Sequence, residues 1–112
     1  MGKSQRTKGH NFERWVAREL RAIYGADVCR GLQSFSGKAA PDVNGVPDMW
    51  IECKVGARPN IRAALLQAEQ ATDGRTPVAI CKFDRDPSGP IVSMRWDAWA
   101  DMLFKLEHDH GL

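Results

Sequence analysis

A chain of 112 residues with 43% apolar side chains can bury one hydrophobic core but hardly two, so a single domain over residues 1–112 is expected. No apolar run approaches the roughly 20 residues of a membrane-spanning helix, and the opening Met1-Gly2-Lys3-Ser4-Gln5-Arg6 lacks the apolar stretch of a secretory leader, so a soluble intracellular protein is expected. The net charge of +2 is unevenly spread: 11 Lys and Arg stand against 6 Asp and Glu through Arg62, and 5 against 8 beyond it, which gives the first half the balance of a polyanion-binding surface.

Residues 1–8 are polar and basic without periodicity and are expected to form a flexible basic arm. Asn11 is placed to cap a helix from Phe12 to Tyr24, in which Phe12, Trp15, Val16, Leu20 and Ile23 recur at helical spacing and Gly25 ends the run. Asp27 to Leu32 reads as a first strand, and Gln33 to Ala40, rich in Ser, Gly and Ala, as a loop. Pro41-Asp42-Val43 is a short extended piece followed by Asn44-Gly45, a dipeptide suited to a tight hairpin turn because both residues tolerate positive φ. The returning strand runs from Asp48 to Val55. After Pro59, Ile61, Ala64, Leu65, Ala68 and Ala71 mark a second helix that Gly74 stops. Thr76–Phe83 and Pro90–Trp96 are strands around a turn at Asp84–Gly89, and Asp97 opens a last helix with Trp99, Met102, Leu103 and Leu106 on its inner side. The order αβββαββα predicts an α/β fold, a central mixed sheet flanked by helices.

The informative segment is Pro41 to Lys54. Side chains alternate along a strand, so Trp50, Glu52 and Lys54 share one face while Ile51, Cys53 and Val55 share the other, apolar one. Glu52 and Lys54 are thereby expected on the more open face of a mid-sheet strand, where charge is rarely placed for stability alone. Asp42, just before the turn, can swing its carboxylate toward Glu52. Two carboxylates held together repel, and a hard divalent cation such as Mg²⁺ relieves the repulsion while keeping water. Such an ion polarises a phosphoryl oxygen and acidifies a bound water, while a lysine alongside stabilises developing charge.

Pro41-Asp42, nine intervening residues and Glu52-Cys53-Lys54 together resemble the signature of the PD-(D/E)-x-K nuclease superfamily, and Glu13 resembles the extra acid on the opening helix of many such enzymes. Lys8-Gly9, Glu13-Arg14 and Arg30, with a Ser-Gly-containing loop before the Pro-Asp, are similar to the archaeal and phage type of Holliday junction resolvase. The likeness covers residues 8–71. It implies a restriction-endonuclease-like core, with Glu13, Asp42 and Glu52 binding one or two Mg²⁺ (Mn²⁺ as a substitute), the backbone carbonyl of Cys53 completing the shell, and Lys54 assisting the attacking water. Arg30 and either Ser34 or Ser36 would contact the DNA backbone near the scissile bond, and Gln67 resembles an accessory Gln near the site. Lys8, Arg14, Lys38, Arg58 and Arg62 are further candidates for DNA phosphates. The implied protein is a homodimeric endonuclease, cytoplasmic in a bacterial or phage-infected cell, that makes paired nicks in four-way junctions.

The second Pro-Asp, at Pro47-Asp48, is set aside because Asp48 and Glu52 lie four residues apart, roughly 13 Å along one extended strand, too far for one ion to bridge; Asp48 is expected to be a solvated turn residue. Aromatic residues at helical or strand spacing are usually core, which leaves Trp50 alone, on the face of Glu52, as a stacking candidate. Cys29, Cys53 and Cys81 are too few and too scattered for a disulfide framework and are expected to be reduced, buried thiols. His108-Asp109-His110 has the look of a ligand trio but falls where a tail frays. Three alternatives remain: a nickase or restriction-like enzyme of the same superfamily acting on duplex or flapped DNA, a DNA-binding module without catalysis, and a structural protein of a phage or mobile element, for which the basic first half would be incidental.

Overall fold

The computed structural model describes residues 2–31 and 39–109. Its elements are α1 (Lys3–Tyr24), β1 (Cys29–Arg30), β2 (Val43–Asn44), β3 (Met49–Gly56), α2 (Ile61–Ala71), β4 (Thr76–Phe83), β5 (Ile91–Ser93) and α3 (Trp96–Asp109). The expected order αβββαββα is therefore observed. The strands form one mixed sheet in the order β1-β2-β3-β4-β5, antiparallel except for the parallel pair β3 and β4 that α2 connects.

Two cores follow from the alternation along β3 and β4. Ile51, Cys53, Val78 and Ile80 point to one face and pack with Phe12 and Val16 of α1 and with Val28, Val43 and Val46. Ala79 and Cys81 point to the other and pack with Ala64 and Leu65 of α2. The second core is built mostly from small side chains, and that leaves room for Trp50 and Glu52 beneath α2. No helix among the described residues is long and apolar enough to cross a membrane.

Several boundaries differ from expectation for identifiable reasons. Residues 3–8 are not a separate arm but the first turns of α1, whose N-cap is Gly2; Asn11 lies inside the helix, where its Oδ1 accepts a hydrogen bond from Arg14 at 3.1 Å. Lys3–Lys8 contains no Pro, Thr7 bonds back to the Lys3 carbonyl at 3.0 Å, and Lys8 is ion-paired with Asp84 beyond β4, so a polar helix is held where no apolar period announces one. The link from β2 to β3 is wider than a two-residue turn: Asn44 still pairs with Cys29, and positive φ falls on Gly45 (87°) and Asp48 (64°). Asp48 is an exposed turn residue, as expected. Helix α2 stops at Ala71 with Thr72 as its C-cap, before Gly74. Strand β5 is short, and α3, expected to bury its apolar side, buries no residue at all.

Candidate functional site

Glycine and proline seat Asp42. The Gly31 N–H donates to the Asp42 carbonyl at 2.7 Å, and a Cβ at Gly31 would meet the Pro41 carbonyl oxygen at 1.8 Å, so only glycine lets β1 approach this closely. The Asp42 N–H donates to the Ile51 carbonyl at 2.8 Å, and the Asp42 Oδ2 accepts the Cys53 N–H at 2.8 Å. A side-chain oxygen thus stands where the strand ladder would have supplied a backbone one. The Cys53 carbonyl points to the same edge as its N–H, as in any extended residue, and Pro41 brings no N–H to cover it.

Glu52 reaches the same place from the other face of β3. It is 4% exposed, the one charged side chain that is buried among the described residues. The Trp50 indole N–H donates to its Oε1 at 3.1 Å, and the Gln67 amide of α2 approaches its Oε2 at 3.4 Å. Burial first and the neighbouring Asp42 carboxylate second push the Glu52 pKa up to about 7, against the lowering effect of the Trp50 hydrogen bond and the Lys54 charge. Glu13, on α1, is raised as well, by burial first and by Asp42 second, against the lowering effect of Arg30, which donates to Glu13 Oε1 at 2.8 Å. Asp42 is the hinge of the group, since its charge acts on both glutamates.

Glu13, Asp42 and Glu52, expected to act together, are thus brought into one electrostatic cluster, with Lys54 two residues along on the exposed part of β3. Among the described residues, however, no three His, Cys, Asp or Glu side chains are gathered closely enough to hold a metal ion as they stand. The hydrogen bonds explain why: Arg30 engages Glu13, and the Cys53 N–H engages Asp42. The donor chemistry still suits a hard cation, with the Asp42 and Glu52 carboxylates and the Cys53 carbonyl converging on one strand edge.

Arg30 therefore touches an acid of the cluster. Arg14, Arg58 and Arg62 are exposed, and Gln67 contacts Glu52. Lys8 is tied to Asp84. Ser34, Ser36 and Lys38 lie outside the described residues. Trp50, expected on an open face, is 2% exposed and cannot stack on a ligand; α2 covers that face, and Arg75 lies over its indole ring, 5.0 Å from the centroid. Its indole N–H holds Glu52 instead, a role that Trp two residues before Glu hints at only once the covered face is known. Cys29 is exposed, contrary to expectation, while Cys53 and Cys81 are buried and all three thiols are free. Of His108-Asp109-His110, the first two continue α3 and His110 lies outside the described residues.

A cleft of about 950 Å³ opens beside α1, lined by Lys3, Lys8, Asn11, Phe12, Trp15, Val55, Lys82 and Asp84 among others. Glu13, Asp42, Glu52 and Lys54 are not among the residues that line it. Lys3 and Lys82 escaped the sequence reading because they are far apart in the chain and carry no motif. Comparison of the chain with protein-family models, with curated proteins and with solved structures finds no match.

Proposed function

We propose that the chain is a metal-dependent DNA endonuclease with a restriction-endonuclease-like core, resembling the PD-(D/E)-x-K enzymes, that makes paired nicks in four-way junctions as a homodimer. The observation that carries the reading is the placement of Asp42, seated on the Cys53 N–H at 2.8 Å, close enough to buried Glu52 for its charge to raise that carboxyl, with Lys54 two residues along β3. Holding two acids against each other costs stability and serves no packing purpose, whereas a phosphodiesterase needs that pair.

Asp42, Glu52 and the Cys53 carbonyl would hold a Mg²⁺ ion, and the chemistry it would supply there is Lewis acidity toward a phosphate and a water. Trp50 and Gln67 hold the Glu52 carboxylate in one orientation, so its oxygens are fixed before substrate arrives. Lys54 directs its ammonium at the attacking water and the charged phosphorane. Arg30 is paired with Glu13 at 2.8 Å in the free protein, and an Arg30 drawn to a DNA phosphate would free Glu13 as a further carboxylate for the cation. Attack at phosphorus breaks the P–O3′ bond and leaves a 5′-phosphate and a 3′-hydroxyl. A two-fold junction requiring two nicks calls for two active sites, which one chain of this size does not hold.

The ion pair between Arg30 and Glu13 favours one alternative, a binding module that never loads metal. Labelled four-way junction, flap and linear duplex of matched sequence, each incubated with the protein and Mg²⁺, separate the readings. Paired nicks in the junction alone are expected. Equal cutting of duplex or flap moves the assignment to a general nickase or restriction-like enzyme, and binding without cutting of any substrate moves it to the module.

A further inference from the structure

Trp15 stands at helical spacing among core residues, yet it is 39% exposed while its neighbours Phe12 and Val16 are buried. The Phe12 ring lies nearly parallel to the indole, with 14° between the planes and 6.1 Å between centroids. One side of Trp15 is thereby backed by the core, and the remainder lines the cleft beside α1. A smaller hollow of about 210 Å³ continues past Trp15 and Pro90 toward Leu20 and Val92, and Val92 is 63% exposed. The groove thus keeps an apolar, aromatic floor in water with a polar rim, the mark of a surface that meets a ligand.

The rim is cationic. Lys3 and Lys82 border the cleft, and neither is ion-paired among the described residues; Lys8 is tied to Asp84. Asn11, one turn before Trp15 and also lining the cleft, accepts from Arg14 with its Oδ1 and keeps its amide N–H groups as donors. From Lys3 to Trp15 the helix rises about 18 Å, enough for a few nucleotides of single strand.

We propose that this groove takes an unpaired stretch of a DNA strand, with one base stacked on the open part of the Trp15 indole and the phosphates on Lys3 and Lys82. A flat apolar ring beside free ammonium groups calls for a ligand that joins a flat ring to an anion, and a nucleotide does so in each repeat. The carboxylates of an acidic peptide satisfy the lysines but carry no ring. Duplex DNA reaches the lysines but not the indole, because paired bases turn their edges, and not their faces, to the grooves. The site deepens the endonuclease reading, on which it rests for the choice of DNA, by adding a substrate contact apart from the acids of the cluster.

Fluorescence anisotropy in chelator, where nothing is cut, compares a blunt duplex with the same duplex carrying a short single-stranded tail that contains 2-aminopurine. Wild type is expected to bind the tailed duplex about tenfold more tightly and to quench the 2-aminopurine. Trp15→Leu, which keeps apolar bulk against Phe12 without a flat ring, is expected to lose both effects and to hold blunt duplex as wild type does. Trp15→Phe, which restores a ring, is expected to recover part of the preference. Circular dichroism melts confirm that the variants are folded. Equal binding of tailed and blunt duplex by wild type overturns the proposal whatever the variants do, as does a preference or quenching that folded Trp15→Leu retains. Labelled polyglutamate bound by wild type and released by Trp15→Leu, without any preference for the tail, overturns it in favour of an acidic polypeptide. A tail preference in a protein that nicks no junction upholds this site and removes the nuclease reading; nicking without a tail preference does the reverse.

Discussion

Glu52 combines two properties that pull against each other, burial under α2 and a carboxylate neighbour in Asp42. Below pH 4.5 it is protonated folded or unfolded and costs nothing. Between 4.5 and about 7 the folded chain keeps a proton that the unfolded chain has released, so stability falls as pH rises through that window. Glu52→Gln is therefore expected to be more stable than wild type at pH 8, by about 3 kcal/mol, and equal to it near pH 4, which melts at the two pH values would read. A wild type as stable as the variant at pH 8 would show that Glu52 carries no such cost. Trp50→Phe keeps the ring and deletes the N–H bonded to Glu52, so the Glu52 carboxyl, followed by NMR, should titrate higher than in wild type. Lys54 is exposed, so Lys54→Met should leave the melt unchanged while lowering cleavage by roughly a hundredfold or more. Asp42, Glu52 and Lys54 were legible in the sequence because strand alternation fixes which residues share a face. That this face is closed was not legible, since the covering by α2 depends on the small residues Ala64, Ala68 and Ala79 meeting across the chain.

The elements follow from local pattern where an apolar period exists and escape it where tertiary contacts decide. Strands β3 and β4 and helix α2 were readable from Val, Ile and Ala at the right spacing. The first turns of α1 were not, because an ion pair with Asp84, some 76 residues away, helps hold them. Nor was the mode of Asp42's insertion: the side chain replaces a ladder oxygen only because Gly31 lets β1 close on Pro41. Gly31→Ala drives a methyl group into the Pro41 carbonyl and should displace Asp42 from the Cys53 N–H. A loss of about 3 kcal/mol, or failure to fold, is expected in urea denaturation, and a change under about 0.5 kcal/mol would mean that the approach is not as close as described.

At the level of the whole molecule, lysines from both halves of the chain meet on one surface. Lys3, Lys8 and Lys82 border one cleft along α1, and Asp84 is ion-paired with Lys8. Removing Lys3 and Lys82 together should lower the slope of log Kd against log salt for duplex DNA by about 0.9 per lysine, measured by fluorescence anisotropy. An unchanged slope would put the DNA elsewhere. Fold class and the acids of the site were thus within reach of the sequence, while the groove and the outward face of α3 depend on how distant segments meet.

The central claim is that Asp42 and Glu52 form a cation site for phosphodiester hydrolysis. The most direct measurement is nicking of a labelled four-way junction by wild type and by Glu52→Gln, each with Mg²⁺ and with chelator. Nicking by wild type in Mg²⁺ alone, absent from the folded variant, is the predicted result; nicking that survives Glu52→Gln, or that proceeds in chelator, would contradict it.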